Sequence, residues 1–99
     1  VGRWGGEEFA IALPNSTGSD AFQVAQRFRT TLVELELFAR PGGGNKPLER
    51  IPSPTVSQGI ACFPEQALSA GELVDVADQA LYLAKDAGRD QVQQSDHQV

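Results

Sequence analysis

Gly2-Arg3-Trp4-Gly5-Gly6-Glu7-Glu8-Phe9-Ala10-Ile11-Ala12-Leu13 is the stretch on which the reading of this chain turns. Glycine tolerates positive φ and lets a ligand approach the main chain. Adjacent carboxylates are the donors that a hard divalent cation prefers. Behind them, Phe9, Ile11 and Leu13 alternate with Ala10 and Ala12, which reads as a strand covered on both faces and stopped by Pro14 and Asn15. A short strand before Gly5 would place residues 5–8 in or near a hairpin turn, with Glu7 and Glu8 at the end of a sheet.

Outward from this hairpin the chain alternates helices and strands. Thr17-Gly18-Ser19-Asp20 has the spacing of a capping box, and Ala21, Val24, Ala25, Phe28, Leu32, Leu35 and Ala39 then share one face of a long amphipathic helix. Arg27 and Arg29 read as solvated charges on that helix. Residues 40–54 hold Pro41, Gly42-Gly43-Gly44, Pro47, Pro52 and Pro54, the composition of a long loop. Residues 55–63 read as a strand closed by Pro64, in which Gly59 points to close packing against another backbone and Gln58 needs a hydrogen-bond partner if buried.

Ser69-Ala70-Gly71-Glu72 opens a second helix whose apolar arc is Leu73, Val76, Ala77, Ala80, Leu81 and Ala84, with Gly88 as its stop. Lys85 and Arg89 lie at its end, where cations complement the helix dipole or, on a sharper reading, reach phosphate oxygens. A short strand at Gln91-Val92 follows, then a polar tail over residues 94–99. His97 stands there with no second histidine or cysteine beside it, and Cys62 reads as a small core residue.

At 99 residues the chain forms one small domain at most, and two capped helices alternating with strands indicate one α/β or α+β unit. A net charge of -5 argues against non-specific nucleic-acid or anionic-membrane binding, so an anionic substrate would need a cation to help. One cysteine excludes an internal disulfide and suggests a reducing compartment. The expected location is the cytoplasm, including the cytoplasmic part of a larger membrane-bound protein, with no direct membrane contact from this segment.

Residues 3–9 resemble the signature of GGDEF-domain diguanylate cyclases, in the GGEEF variant. The similarity continues through Val56-Ser57-Gln58-Gly59-Ile60-Ala61 and through Ala77-Asp78-Gln79-Ala80-Leu81-Tyr82-Leu83-Ala84-Lys85 with Gly88-Arg89. Three matches in the correct order are far more specific than the signature alone. The resemblance implies a mostly antiparallel sheet flanked by helices, with the ferredoxin-like core of nucleotidyl cyclases and polymerase palms, and residues 1–93 as the C-terminal part of the domain. Its implied chemistry is the condensation of two GTP into cyclic di-GMP by a bacterial signalling nucleotidyltransferase. It also implies a homodimer and an upstream sensory or receiver domain.

By the same resemblance Gly5 and Gly6 lie against the nucleotide, and Glu7 is the ligand of Mg²⁺ or Mn²⁺. Glu8 assists the attacking hydroxyl or the metal site, while Lys85 and Arg89 contact terminal phosphates. Arg27 corresponds to a second contact for product at an inhibitory site whose main motif would lie upstream of Val1. The domain's first strand and helices, with a further metal aspartate and the guanine-binding residues, are expected upstream as well, so the fragment is expected to be inactive alone. Asp90 stands where the family has asparagine and Gln58 where it has an apolar residue, and neither is expected to touch the chemistry. The alternative reading is a non-catalytic module that binds GTP or cyclic di-GMP, or serves as a dimerisation or interaction domain.

Overall fold

The computed structural model describes residues 2–3, 8–40 and 42–99. Its element order is β1 (Gly2–Arg3), β2 (Phe9–Ala10), α1 (Gly18–Glu34), β3 (Leu37–Ala39), β4 (Glu49–Ile51), β5 (Gln58–Ile60), α2 (Ala70–Asp86) and β6 (Val92–Gln94). The strands pair two by two: β1 with β2 and β3 with β4 antiparallel, β5 with β6 parallel. This is a small α+β fold. The α2 helix is the crossover that a parallel pair requires, and it covers β5 and β6 in turn.

Both helices begin where the hydroxyl-to-acid spacing places them. The Thr17 hydroxyl accepts from the Asp20 N–H at 3.1 Å, and the Asp20 carboxylate accepts from the Thr17 N–H at 3.0 Å, completing the capping box. Hydrogen bonding from the Thr17 backbone, then from its side chain, holds the Asp20 pKa below the ordinary carboxylate value. The stabilisation from this lowered pKa is complete above the ordinary carboxylate range and is lost as pH falls through the lowered value. Ser69 caps α2 through a 3.2 Å bond from the Glu72 N–H, while the Glu72 carboxylate reaches back to the Leu68 N–H at 2.9 Å.

α1 ends at Glu34, short of the expected end near Ala39. Leu35 turns extended with φ −71° and ψ 132°. Ser53 donates to its carbonyl at 2.8 Å, giving that acceptor a partner outside the helix. Leu37–Ala39 then pair with Glu49–Ile51 across the segment read as loop, because a ladder of three residue pairs satisfies backbone groups that a longer helix would otherwise have bonded. This ribbon packs on no other strand or helix among the described residues, and Phe38, Leu48 and Ile51 stay exposed. The strand read over residues 9–13 is likewise shorter, two residues, with Phe9 and Ile11 exposed rather than covered.

The core forms where α1 and α2 meet β5 and β6. Ala25 of α1 packs with Ile60 and Val92, with Ala21 and Cys62 at the margin. On α2, Val76, Ala80 and Ala84 recur every fourth residue and are buried. Gln58 finds the partner it needed, donating to the Ala25 carbonyl at 3.0 Å and tying β5 to α1. Burial, followed by the Glu65 carboxylate, pushes the Cys62 thiol up, consistent with a packing residue rather than a nucleophile.

A buried side chain that the sequence pattern did not single out, Gln66, organises the C-terminal segment. Its amide oxygen accepts from the Cys62 N–H and from Gln94 Nε2, each at 3.0 Å. Its nitrogen donates to the Ser95 carbonyl at 2.6 Å and the His97 carbonyl at 3.2 Å. The Val99 N–H adds a 3.2 Å bond to the Glu65 carbonyl.

Gly59 is the most closely packed of the described glycines. A Cβ there would meet Ala77 O and Leu81 N of α2 and lie 2.9 Å from the Ala80 carbonyl carbon. Those atoms are helix backbone and cannot swing aside, so Gly59→Ala must push α2 off β5. We expect a loss of about 3 kcal/mol or more, at the upper end of overpacking costs. Urea unfolding followed by circular dichroism reads it directly, and Gly71→Ala, which meets nothing within 4 Å, is the control.

Candidate functional site

The site is built on one stripe of α2. Asp78, Leu81, Tyr82 and Lys85 stand at i, i+3, i+4 and i+7, the spacing that lines residues along one helix face. Glu8, just ahead of β2, faces them, and the five residues enclose an open cleft of ≈ 200 Å³. Lys85 Nζ donates to Glu8 Oε1 at 3.4 Å across 77 residues of sequence. Both side chains are about two-fifths exposed, so the pair adds little to folding. It defines instead a place where carboxylate oxygens and an ammonium group share one cleft.

Past α2 the chain takes an unusual path. The Ala87 N–H donates to Leu83 O at 2.9 Å and the Gly88 N–H to Lys85 O at 3.4 Å, closing the helix. Gly88, Arg89 and Asp90 then run at φ of 116°, 64° and 48°. Glycine adopts such values freely and aspartate visits them at smaller cost, whereas Arg89 gives up about 1 kcal/mol or more for the left-handed region. The Arg89 N–H is held by Ala84 O at 2.9 Å and its carbonyl by Gln91 Nε2 at 3.2 Å. Its side chain, at the end of the helix that carries Lys85, is exposed and makes no ion pair among the described residues.

Of the residues singled out by sequence, the structure brings Glu8 and Lys85 together and sets Arg89 one turn beyond. Gly5, Gly6 and Glu7 lie outside the described residues. Arg27 is exposed on α1 and is not among the residues that line the cleft. Asp78 and Tyr82 are additions to the site, and the four-residue spacing back from Lys85 to Leu81, with Asp78 and Tyr82 beside it, was the signal that could have found them.

A family model described as "Diguanylate cyclase, GGDEF domain" matches residues 1–91 of the chain. The chain belongs to the GGDEF domain family. This GGDEF domain is 38% identical over 90 residues to the uncharacterized protein YhcK of Bacillus subtilis, covering 91% of the chain and 23% of that protein. It is 36% identical over 90 residues to diguanylate cyclase A of Treponema denticola, covering 91% of the chain and 22% of the relative. To the probable diguanylate cyclase DgcT of Escherichia coli it is 36% identical over 93 residues, 93% of the chain and 19% of the relative. The chain thus spans about a fifth of the length of these relatives. No solved structure matches it significantly. No helix among the described residues is long and apolar enough to cross a membrane.

The half-exposed Glu8–Lys85 pair leads to a separable expectation. Lys85→Met keeps the aliphatic stem against α2 and removes the charge, and it should change unfolding free energy by less than about 1 kcal/mol. A larger loss in chemical denaturation would show that Lys85 is a structural residue.

Proposed function

We propose that this GGDEF domain, in its complete protein, joins two GTP molecules into cyclic di-GMP by metal-dependent nucleotidyl transfer. The observation that carries the reading is the meeting of Glu8, the second acid of the signature, with Lys85 of the last helix at 3.4 Å in one open cleft. In this reading the two groups have different tasks at one nucleotide. One handles the attacking end of the nucleotide and the other its terminal phosphates.

In this reading Gly5 and Gly6 let the main chain approach the nucleotide, and Glu7 with Glu8 supplies carboxylate oxygens for Mg²⁺ or Mn²⁺. The donor chemistry fits, since a hard cation takes oxygen ligands and Glu8 presents a half-exposed carboxylate to the cleft. Magnesium uses one or two carboxylates together with substrate phosphates, so a sparse set suffices. When bound, the metal polarises the phosphate and lowers the pKa of the attacking hydroxyl.

The chain's own residues do the positioning. Lys85 and Arg89 neutralise the terminal phosphates, which depart as pyrophosphate when a ribose hydroxyl of one GTP bonds to the α-phosphorus of the other. Lys85 gives up its contact to Glu8 in favour of phosphate, which leaves the carboxylate free for the hydroxyl or the metal. Each domain presents one GTP, so two domains face each other about a two-fold axis and the reaction occurs twice to close the ring. The domain proposed for residues 1–93 ends within β6, with 94–99 as a polar tail.

Two outcomes test this. In the complete protein, Glu7→Ala abolishes cyclic di-GMP synthesis, followed by chromatography of GTP reactions with Mg²⁺, while circular dichroism stays unchanged; near-normal turnover removes Glu7 from the metal site. The 99 residues by themselves, whose three strand pairs are not joined into one sheet among the described residues, should give no product under the same conditions.

A further inference from the structure

The left-handed turn that carries Arg89 is anchored from the far side of the domain. Arg29 Nε of α1 donates to Asp90 Oδ1 at 3.3 Å across 61 residues of sequence. Arg29 is itself oriented by a 2.7 Å bond from its guanidinium to Gln26 Oε1, and its side chain is only 29% exposed. From the other side the Asp90 N–H donates to Ser57 Oγ at 3.2 Å, beside β5. Asp90 is therefore held by its side chain to α1 and by its main chain to the residue before β5. Arg89, directly before it, is left with a fixed backbone and an exposed guanidinium that makes no ion pair among the described residues.

The arrangement is more than a helix stop. A helix end needs only Gly88 in the left-handed region, yet two further non-glycine residues are held there. Strained backbone persists only where the surroundings over-determine it, and such positions cluster where geometry serves a ligand. Here the surroundings are Arg29, Ser57 and Gln91, each bonded to the turn itself. Arg29, read from sequence as a solvated charge, and Asp90, read as remote from the chemistry, are thus partners in one clamp.

We infer that the Arg29–Asp90 ion pair positions Arg89 for the terminal phosphates of the nucleotide, so that α1 sets the affinity of a site to which it contributes no contacting side chain. This rests on the proposed role of Arg89 and deepens it. Arg29 and Asp90 are positioning residues, because they act only through the Arg89 backbone. The ligand class follows from the turn's exposed cation: a nucleoside triphosphate responds to the clamp, and a nucleoside monophosphate, which lacks the terminal groups, does not.

The test is calorimetric titration of the complete protein, with Mg²⁺, against α,β-methylene GTP and separately against GMP. Arg29→Gln should weaken the triphosphate analogue about fivefold, the upper range for loss of a partly exposed ion pair. GMP affinity and thermal unfolding should stay unchanged, and Arg29→Lys should restore most of the triphosphate affinity. In an Arg89→Ala background the Arg29→Gln effect should vanish. If Arg89→Ala weakens the analogue and Arg29→Gln does not, the clamp is wrong while the role of Arg89 stands. If Arg89→Ala itself has no effect, the reading beneath it fails and the inference with it. If Arg29→Gln weakens both ligands alike or lowers the unfolding temperature markedly, the pair is merely structural and the inference is overturned.

Discussion

Backbone-to-backbone contact between β5 and α2 at Gly59 is the constraint from which the rest of the molecule follows. With no Cβ, the strand comes close to the main chain of Ala77, Ala80 and Leu81. That contact fixes both the depth and the rotation of α2. The Val76–Ala80–Ala84 row then faces inward, and the Asp78–Tyr82–Lys85 side is turned toward Glu8. The same seating brings the end of α2 level with the start of β6, whose parallel register against β5 pairs Gln58 with Val92, Gly59 with Gln93 and Ile60 with Gln94. A bulkier residue at position 59 would move the cation of the site along with the helix that bears it.

On this frame the charges are distributed economically. The chain is acidic overall, with eight lysines and arginines against thirteen acids, and general attraction for an anion is absent. Local placement has to supply it. Lys85 sits near the C-terminal end of α2, where the helix dipole favours a cation, and opposes Glu8 closely enough to be held without being buried. Arg89 projects from a turn whose conformation is maintained by groups on α1, by Ser57 and by the residue after it. Under the proposed function, a divalent cation bound with the triphosphate would offset the charge that the two cationic side chains leave.

Much of this was legible in the sequence, for identifiable reasons. The starts of both helices follow from hydroxyl-to-acid spacing, since capping is a local interaction. Gly59 and Gly88 were legible because a glycine in a strand or after a helix has few explanations. The family was legible because the signature, the strand around Gln58 and the Asp78–Lys85 helix occur in order, and the family match over residues 1–91 agrees with it. The ribbon of β3 and β4 was not. Three-residue strands carry too few positions to show a period of two, and Leu35 and Ala39 also fit the helical face that precedes them. Gln66 and the Arg29–Asp90 pair escaped for another reason: most of their partners lie 28 to 61 residues away, and those of Gln66 include backbone N–H and carbonyl groups with no sequence signature. The signature glycines and Glu7 were read from sequence alone and lie outside the described residues.

The central claim is that the cleft between Glu8 and the Lys85 face of α2, continued by Arg89, receives the phosphate end of GTP. A crystal structure of the complete protein with Mg²⁺ and a non-cleavable GTP analogue tests it most directly. The account predicts the terminal phosphates within hydrogen-bond reach of Lys85 Nζ and the Arg89 guanidinium, with Lys85 released from Glu8. An analogue whose phosphates lie away from α2, with the Glu8–Lys85 contact intact, would contradict it.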